Sequence, residues 1–498
     1  MHAGAIDLPP GRPDAPMLRV HFPLSKTRQL MSQQQNIEPS REAEKPGCIA
    51  GGDARGPASH LTPPSPFGRE MAGVAVANTL ITLLNFCTGI LGARLLGRRG
   101  RGELAAIQTW PTFIALIALM GTQEAVVYYG AKDPSRARMY AASAFALALI
   151  AVVPLVIAGY FAMPLLLSAQ NPAVIFASRA YLLFPLLYPC YGIPNASLRA
   201  VRAFGPWNHL RIAPGLGLVG VLLLAWASGH ITPAFVALGT VGIYILIAAQ
   251  ALLLVSRHVE GRFVPDRSWW LQLVAYGLPC VFASLPQILN FRLDQMLMTS
   301  IVAPGELGLY VIAVAWSGAS APLLGAISAV LFPRIAGEPD PRERSRIFAY
   351  TARNSLALAM LLTILVFVAT PWAVPLLFGR SFKGSIPSAL LLVPAAGVSA
   401  FNLILEEGIR GLGDPAAVTW SEFGGLLVTA ILLAMLLRPF GIIGAAIASL
   451  CAYSAVSVLL LFQARELTGI CLTQLVMPTR EELVRELGRI RSVIRAAV

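Results

Sequence analysis

The chain has 498 residues, 56% of them hydrophobic and 13% charged, with a mean hydropathy of +0.67. Such a composition excludes an ordinary soluble globular protein. The net charge of +13 does not point to nucleic acid, because many of the cations sit between apolar segments, where they set membrane orientation.

Residues 1–68 are rich in Pro, Gly, Gln and charge, with no apolar run and no signal-peptide core. They read as a disordered cytoplasmic segment. From Met71 onward the sequence changes in kind. Segments near the 20 apolar residues that a membrane helix needs fall at 71–93, 104–130, 139–167, 173–195, 210–228, 233–256, 271–302, 307–333, 354–378, 386–405, 416–437 and 441–463. In lipid the backbone must satisfy itself, so these are helices or a closed barrel. Their length and lack of strict alternation exclude the barrel. The expectation is an all-α polytopic membrane protein of about twelve transmembrane helices.

A stretch of sequence occurs twice. Asn85-Phe86, Gly102 and Trp110 recur as Asn290-Phe291, Gly308 and Trp316, at an offset of 205 to 206. Tyr140 with Ala162-Met163-Pro164-Leu165-Leu166 recurs as Tyr350 with Ala373-Val374-Pro375-Leu376-Leu377. Six spans fall in each copy, so both copies share one orientation, as in parallel-repeat transporters. The expected organisation is a first six-helix bundle at 69–256, a cytoplasmic linker at 257–270, a second bundle at 271–463 and a cytoplasmic tail at 464–498. In that tail Thr479 and Glu482 form a capping-box signal ahead of an amphipathic helix carrying Leu483, Leu487, Ile490 and Ile494, with Arg485, Arg489, Arg491 and Arg495 on its basic side. The inner leaflet is its expected surface.

Of the cations in the short loops between spans, most follow even-numbered spans, which places both termini in the cytoplasm. Arg94, Arg98, Arg99 and Arg101 break that rule at the outer turn between the first two spans. The six cysteines are scattered without a CxxC pair, and the six histidines show no ligand spacing. Neither a disulfide framework nor a zinc site is expected.

Ionisable groups inside spans are costly and mark cavities or ion paths. Here they are Arg94, Glu124, Arg179, Arg292, Asp294, Glu406, Glu407 and Glu422. Asp294 shares a helix face with Gln287 and Asn290, whereas Arg292 faces elsewhere with Gln295 and Thr299. Glu406 stands one turn from Asn402. Prolines at 111, 154, 185, 189, 279, 286 and 322 interrupt the spans and are expected to kink them.

At these residues the chain resembles the lipid-linked oligosaccharide flippases, the polysaccharide branch of the multidrug/oligosaccharidyl-lipid/polysaccharide exporter superfamily. The carrying pieces are Ala93-Arg94-Leu95-Leu96-Gly97, Gly100-Arg101-Gly102-Glu103-Leu104-Ala105, Arg292-Leu293-Asp294 with Gly308-Leu309-Tyr310, and Leu331-Phe332-Pro333-Arg334. Leu377-Phe378-Gly379, Arg410-Gly411-Leu412-Gly413-Asp414-Pro415 and Gly441-Ile442-Ile443-Gly444-Ala445-Ala446 complete them. The resemblance implies two bundles in a V around a central, characteristically cationic cavity. It also implies transport of an undecaprenyl-pyrophosphate-linked sugar unit between leaflets of the bacterial inner membrane.

The chemistry fits independently. Guanidinium groups match phosphate oxygens and can replace the hydration a diphosphate loses. Arg94 and Arg292 are therefore expected to contact the pyrophosphate, and Arg179 joins them as a substrate ligand through the cationic cavity that the resemblance implies; Asp294, Asn402 and Glu406 are the expected ion-coupling groups for H⁺ or Na⁺. No cofactor or nucleic acid is expected; membrane lipids, a polysaccharide polymerase and glycosyltransferases are the expected partners. The alternatives are a multidrug exporter of the same fold and a membrane polysaccharide polymerase or ligase. The latter lacks support, because the outward loops are short and no nucleophile–base pair is apparent.

Overall fold

A computed structural model describes residues 66–476, which fall within one compact unit. The expected disorder of the first segment and the amphipathic tail helix lie outside the described residues. Every regular element among the described residues is helical.

Helix α1 (Pro66–Ala118) is continuous except at Gly97. It is followed by α2 (Thr122–Lys132), α3 (Ala137–Leu166), α4 (Pro172–Tyr181), α5 (Leu183–Ala200), α6 (Phe204–Ala227) and α7 (Pro233–His258). The second copy holds α8 (Trp270–Asn290), α9 (Leu293–Ile301), α10 (Pro304–Ser317), α11 (Ala321–Ala336), α12 (Pro341–Leu377), α13 (Ile386–Leu412) and α14 (Pro415–Thr468). A short α15 (Leu472–Val476) ends the described chain.

Ten of the helical spans are long and apolar enough to cross a membrane. Two of them, 60 and 54 residues long, would extend about 80–90 Å if straight, over twice the ~30 Å hydrocarbon core. Each doubles back at one glycine. At Gly97 (φ 64) and Gly441 (φ 54) the backbone enters the left-handed region that glycine tolerates without strain. A Cβ placed on Gly444 would lie 2.2 Å from the Leu436 carbonyl oxygen, although eight residues of straight helix would separate them by about 12 Å. With each of these spans crossing twice, the described chain makes the twelve crossings the sequence predicts.

Several spans are broken, and most breaks have a local cause. Pro185 cannot bond the Tyr181 carbonyl, so α4 gives way to α5 at Leu182. Pro322 likewise frees Gly318 between α10 and α11. The break between α8 and α9 has no proline. There the Asn290 side chain is drawn into α14, with Nδ2 donating to Glu422 and Oδ1 accepting from Thr429. Arg410, expected in a loop, lies instead in the last turns of α13, which runs on to Leu412.

The two copies touch at both ends of the second arm of α1, about 30 Å apart by helix rise. At the Gly97 end, a Cβ on Gly102 would sit 1.7 Å from the Pro304 oxygen, and one on Gly308 would sit 2.0 Å from the Arg98 oxygen. Those residues are repeat equivalents, so the seam is a pseudo-twofold contact of backbone on backbone. Arg98 crosses it to Glu306. At the other end Gly121 lies on Gly277. Tyr128 stacks on Tyr276 with centroids 4.4 Å apart, and Tyr140 meets Trp269 edge-on at 4.8 Å. Ser143 holds both backbone groups of Asp266 in the neighbouring loop. Bonds from the Ser268 hydroxyl and amide keep the Asp266 carboxyl below the ordinary carboxylate range.

The main buried apolar cluster joins Ile107, Met163 and Leu167 of the first copy to Tyr310, Phe378 and Phe382 of the second. Phe161, Leu165, Phe176, Leu361 and Trp372 are exposed, as a lipid-facing shell requires.

We expect Gly308→Ala and Gly102→Ala each to lower stability by about 2 kcal/mol, because neither backbone neighbour can yield. Gly220→Ala, which meets nothing within 4 Å, serves as the control. Equal thermal midpoints for all three in detergent would contradict the seam.

Candidate functional site

The polar interior of the second copy is built from five crossings. Glu406 on α13 is 1% exposed and accepts from Gln287 Nε2 at 2.8 Å and from Arg410 Nη2 at 3.2 Å on the same oxygen. Arg410 also donates to Glu407 at 2.5 Å. The Glu422 carboxyl, from α14, lies close enough to Glu406 to interact with it directly. It also accepts from Asn290 at 2.7 Å. A buried charge without such partners costs several kcal/mol, which is why both α8 and α13 contribute donors here.

A second carboxyl lies at the start of α9. Asp294 is 4% exposed, and its two oxygens accept from the Gln295 amide at 2.6 Å and the Tyr310 hydroxyl at 2.5 Å. Tyr453 ties the two regions together. Its hydroxyl reaches the Asn290 carbonyl at 3.4 Å, and its own carbonyl accepts from Asn402 Nδ2 at 2.9 Å. In an unbroken helix the Asn290 carbonyl would bond the Asp294 amide, so tyrosine replaces the bond lost at the break. Asn402 Oδ1 is buried with no hydrogen-bond partner among the described residues.

The three arginines singled out by sequence meet different fates. Arg94 donates through Nε and Nη2 to the carbonyls of Leu377 and Leu376, at 2.7 and 2.5 Å. It thereby caps the C-terminus of α12, whose last carbonyls have no helical partner. Arg179 donates to the Tyr160 carbonyl at 3.0 Å and lies 4.5 Å from the Tyr160 ring centroid. Tyr160 precedes Pro164 by four residues, so Arg179 satisfies the carbonyl that the proline leaves free. Arg292 is the outlier. It is exposed at the α8–α9 break, and its guanidinium has no hydrogen bond or ion pair among the described residues. Its charge acts on Asp294 and Tyr453.

Sequence reading therefore reached Asp294, Asn402 and Glu406, which the structure gathers on one side of the second copy. It placed Gln287 and Asn290 on one face with Asp294 but did not connect Glu422 to them. It missed Tyr310, Tyr453 and Thr429, because a tyrosine or threonine in an apolar span is unremarkable until its partner is known. Among the described residues, no group of three or more His, Cys, Asp or Glu converges as a metal site.

A repeated helical membrane body with discontinuous helices and a buried polar network is an architecture that transporters use. The chain belongs to the Polysaccharide biosynthesis protein family, whose sequence pattern matches residues 67–337. No curated protein matches it in sequence. Its fold is similar to "Lipid II flippase MurJ, inward closed conformation", at a TM-score of 0.68 and 13% identity over 80% of this chain and 90% of that one. It is also similar to the inward-facing conformation of a multidrug resistance MATE family transporter of the MOP superfamily, at 0.65 and 16% identity over 79% and 98% of the two chains.

The carbonyl-capping account of Arg179 predicts a coupling. Arg179→Met is expected to cost about 1–2 kcal/mol in the natural chain. In a Pro164→Ala background, where an amide again bonds Tyr160, the loss should shrink by about 1 kcal/mol. Additive effects on the thermal midpoint would refute the assignment.

Proposed function

We propose that the protein flips an undecaprenyl-pyrophosphate-linked oligosaccharide across the bacterial inner membrane for cell-surface polysaccharide such as O-antigen, capsule or exopolysaccharide. Membership of the polysaccharide biosynthesis family supports the process, and the likeness to flippase and exporter structures supports alternating access as the route. The single observation that carries the substrate class is Arg292. An exposed, unpaired guanidinium within a membrane span requires water or an anion beside it. A diphosphate meets that need, and its isoprenoid tail stays in the bilayer. Arg94 and Arg179 contribute field and structure, since carbonyls already hold them. A polysaccharide polymerase and glycosyltransferases act before and after this step, and both chain termini face the cytoplasm.

Asp294, Asn402 and Glu406 couple this movement to H⁺ or Na⁺. The orphaned Asn402 oxygen one turn from Glu406, and the close pair Glu406–Glu422, support that reading, because Arg410 is the one cation paired with the three carboxyls of Glu406, Glu407 and Glu422 among the described residues. The fold likeness to multidrug transporters is equally compatible with drug export, but Arg292 would repel the cationic substrates that reading needs.

In proteoliposomes carrying a fluorescent lipid-linked diphosphate sugar, Arg292→Ala is expected to reduce flipping at least tenfold and Arg292→Lys less. Arg179→Gln should retain most activity. Unchanged transport by the Arg292→Ala protein would overturn the proposal. Imposed pH and Na⁺ gradients test the coupling: Glu406→Gln and Asp294→Asn should abolish the gradient response, and a response that survives in both removes them from that role.

A further inference from the structure

Far from the seam, a groove of about 590 Å³ opens between the first turns of α12 and the end of α14. Arg342, Arg346 and Arg353 line one wall; Thr468, Ile470 and Gln474 line the other. The arginine spacing of four and seven keeps all three on one helical face. Helix α12 has 37 residues, about 55 Å by helix rise against a ~30 Å hydrocarbon core. Its apolar run begins after Arg353, so the groove lies at the membrane–water boundary.

The arginines do not serve the helix that carries them. Arg342 and Arg346 are like charges one turn apart, which repel, and cations in a first turn oppose the helix dipole. The end is already capped by Asp340, whose carboxylate accepts from the Arg342 amide at 3.0 Å. Arg346 has only the exposed Glu343 at 3.4 Å, a weak pairing. The Arg342 guanidinium has no hydrogen bond or ion pair among the described residues. Arg353 donates to the Gln474 carbonyl at 2.6 Å, which fixes the floor of the groove. Leu467 and Ile470 give the opposite wall an apolar strip beside these charges.

We propose that this groove binds the headgroup of an anionic phospholipid, with Arg342 and Arg346 on its phosphodiester and the glycerol end against Leu467 and Ile470. Guanidinium groups one turn apart match neighbouring phosphoryl oxygens, and the apolar strip favours a lipid over a free anion. A bound headgroup then bridges the ends of α12 and α14, two crossings of the second copy.

The test uses the full chain in detergent, with retained lipid counted by native mass spectrometry and the thermal midpoint recorded. The probes are dioctanoyl phosphatidylglycerol, dioctanoyl phosphatidylcholine and inorganic phosphate. Phosphatidylglycerol should bind and raise the midpoint, and the other two should not. Arg342→Gln with Arg346→Gln should weaken that binding at least fivefold. Arg342→Lys with Arg346→Lys should keep part of it, and Arg257→Gln, which removes a boundary arginine elsewhere, should change nothing. An unaltered midpoint without lipid shows that the double variant is folded. Equal binding of phosphatidylcholine, equal protection by phosphate, or a double variant that retains phosphatidylglycerol as the natural chain does would each overturn the proposal.

Discussion

The contact on which the structure depends is the backbone seam between Gly102 and Gly308. Each glycine lets its helix lie against a carbonyl of the other copy, at positions where a single methyl group would collide with main-chain atoms. Apolar side chains cannot drive helices together in lipid, because the lipid tails are equally apolar. Close backbone approach and polar bonds take over that task. Arg98–Glu306 and the Arg94 cap on α12 therefore cluster around this seam. Three of the four arginines that violate the orientation rule thus have a structural explanation, whereas the buried Arg101 Nε has no partner among the described residues. Arg94, Arg98 and Arg99 hold the Leu376–Leu377 carbonyls, Glu306 and Glu103 respectively.

The same constraint governs the other arginines. Each proline or helix end inside a bilayer leaves a carbonyl without a donor, and water is not there to supply one. Arg179 serves the carbonyl released by Pro164, and Arg138 serves the carbonyls of Val255, Ser256 and Val259 at the end of α7. A cation in a membrane protein therefore has two ordinary uses, capping backbone and meeting an anion. Sequence does not separate them. Among Arg94, Arg179 and Arg292, only Arg292 caps nothing.

The two copies share their path but not their chemistry. The first copy fills its interior with aromatic rings, Tyr181, Phe184, Tyr188, Tyr191 and Tyr244 in mutual contact. The second buries three carboxyls, Asp294, Glu406 and Glu422, among their donors. Arg292 and the buried carboxyls of Asp294, Glu406 and Glu422 all belong to the second copy.

The sequence by itself determined the helical membrane class, the twelve crossings and the duplication, and its ionisable in-span groups included the three carboxyls that are buried, Asp294, Glu406 and Glu422. Those follow from hydropathy, period and spacing, which are local and additive. It did not determine that α8 and α9 are separate helices. No proline marks that break; it comes from Asn290 being held by Glu422 and Thr429, residues more than 130 positions away. Nor did it show which arginines are engaged. A guanidinium's partner is a carbonyl or carboxylate brought in by another helix, such as Leu377 for Arg94. Only the packing of helices decides which donors meet an acceptor and which one is left facing open space.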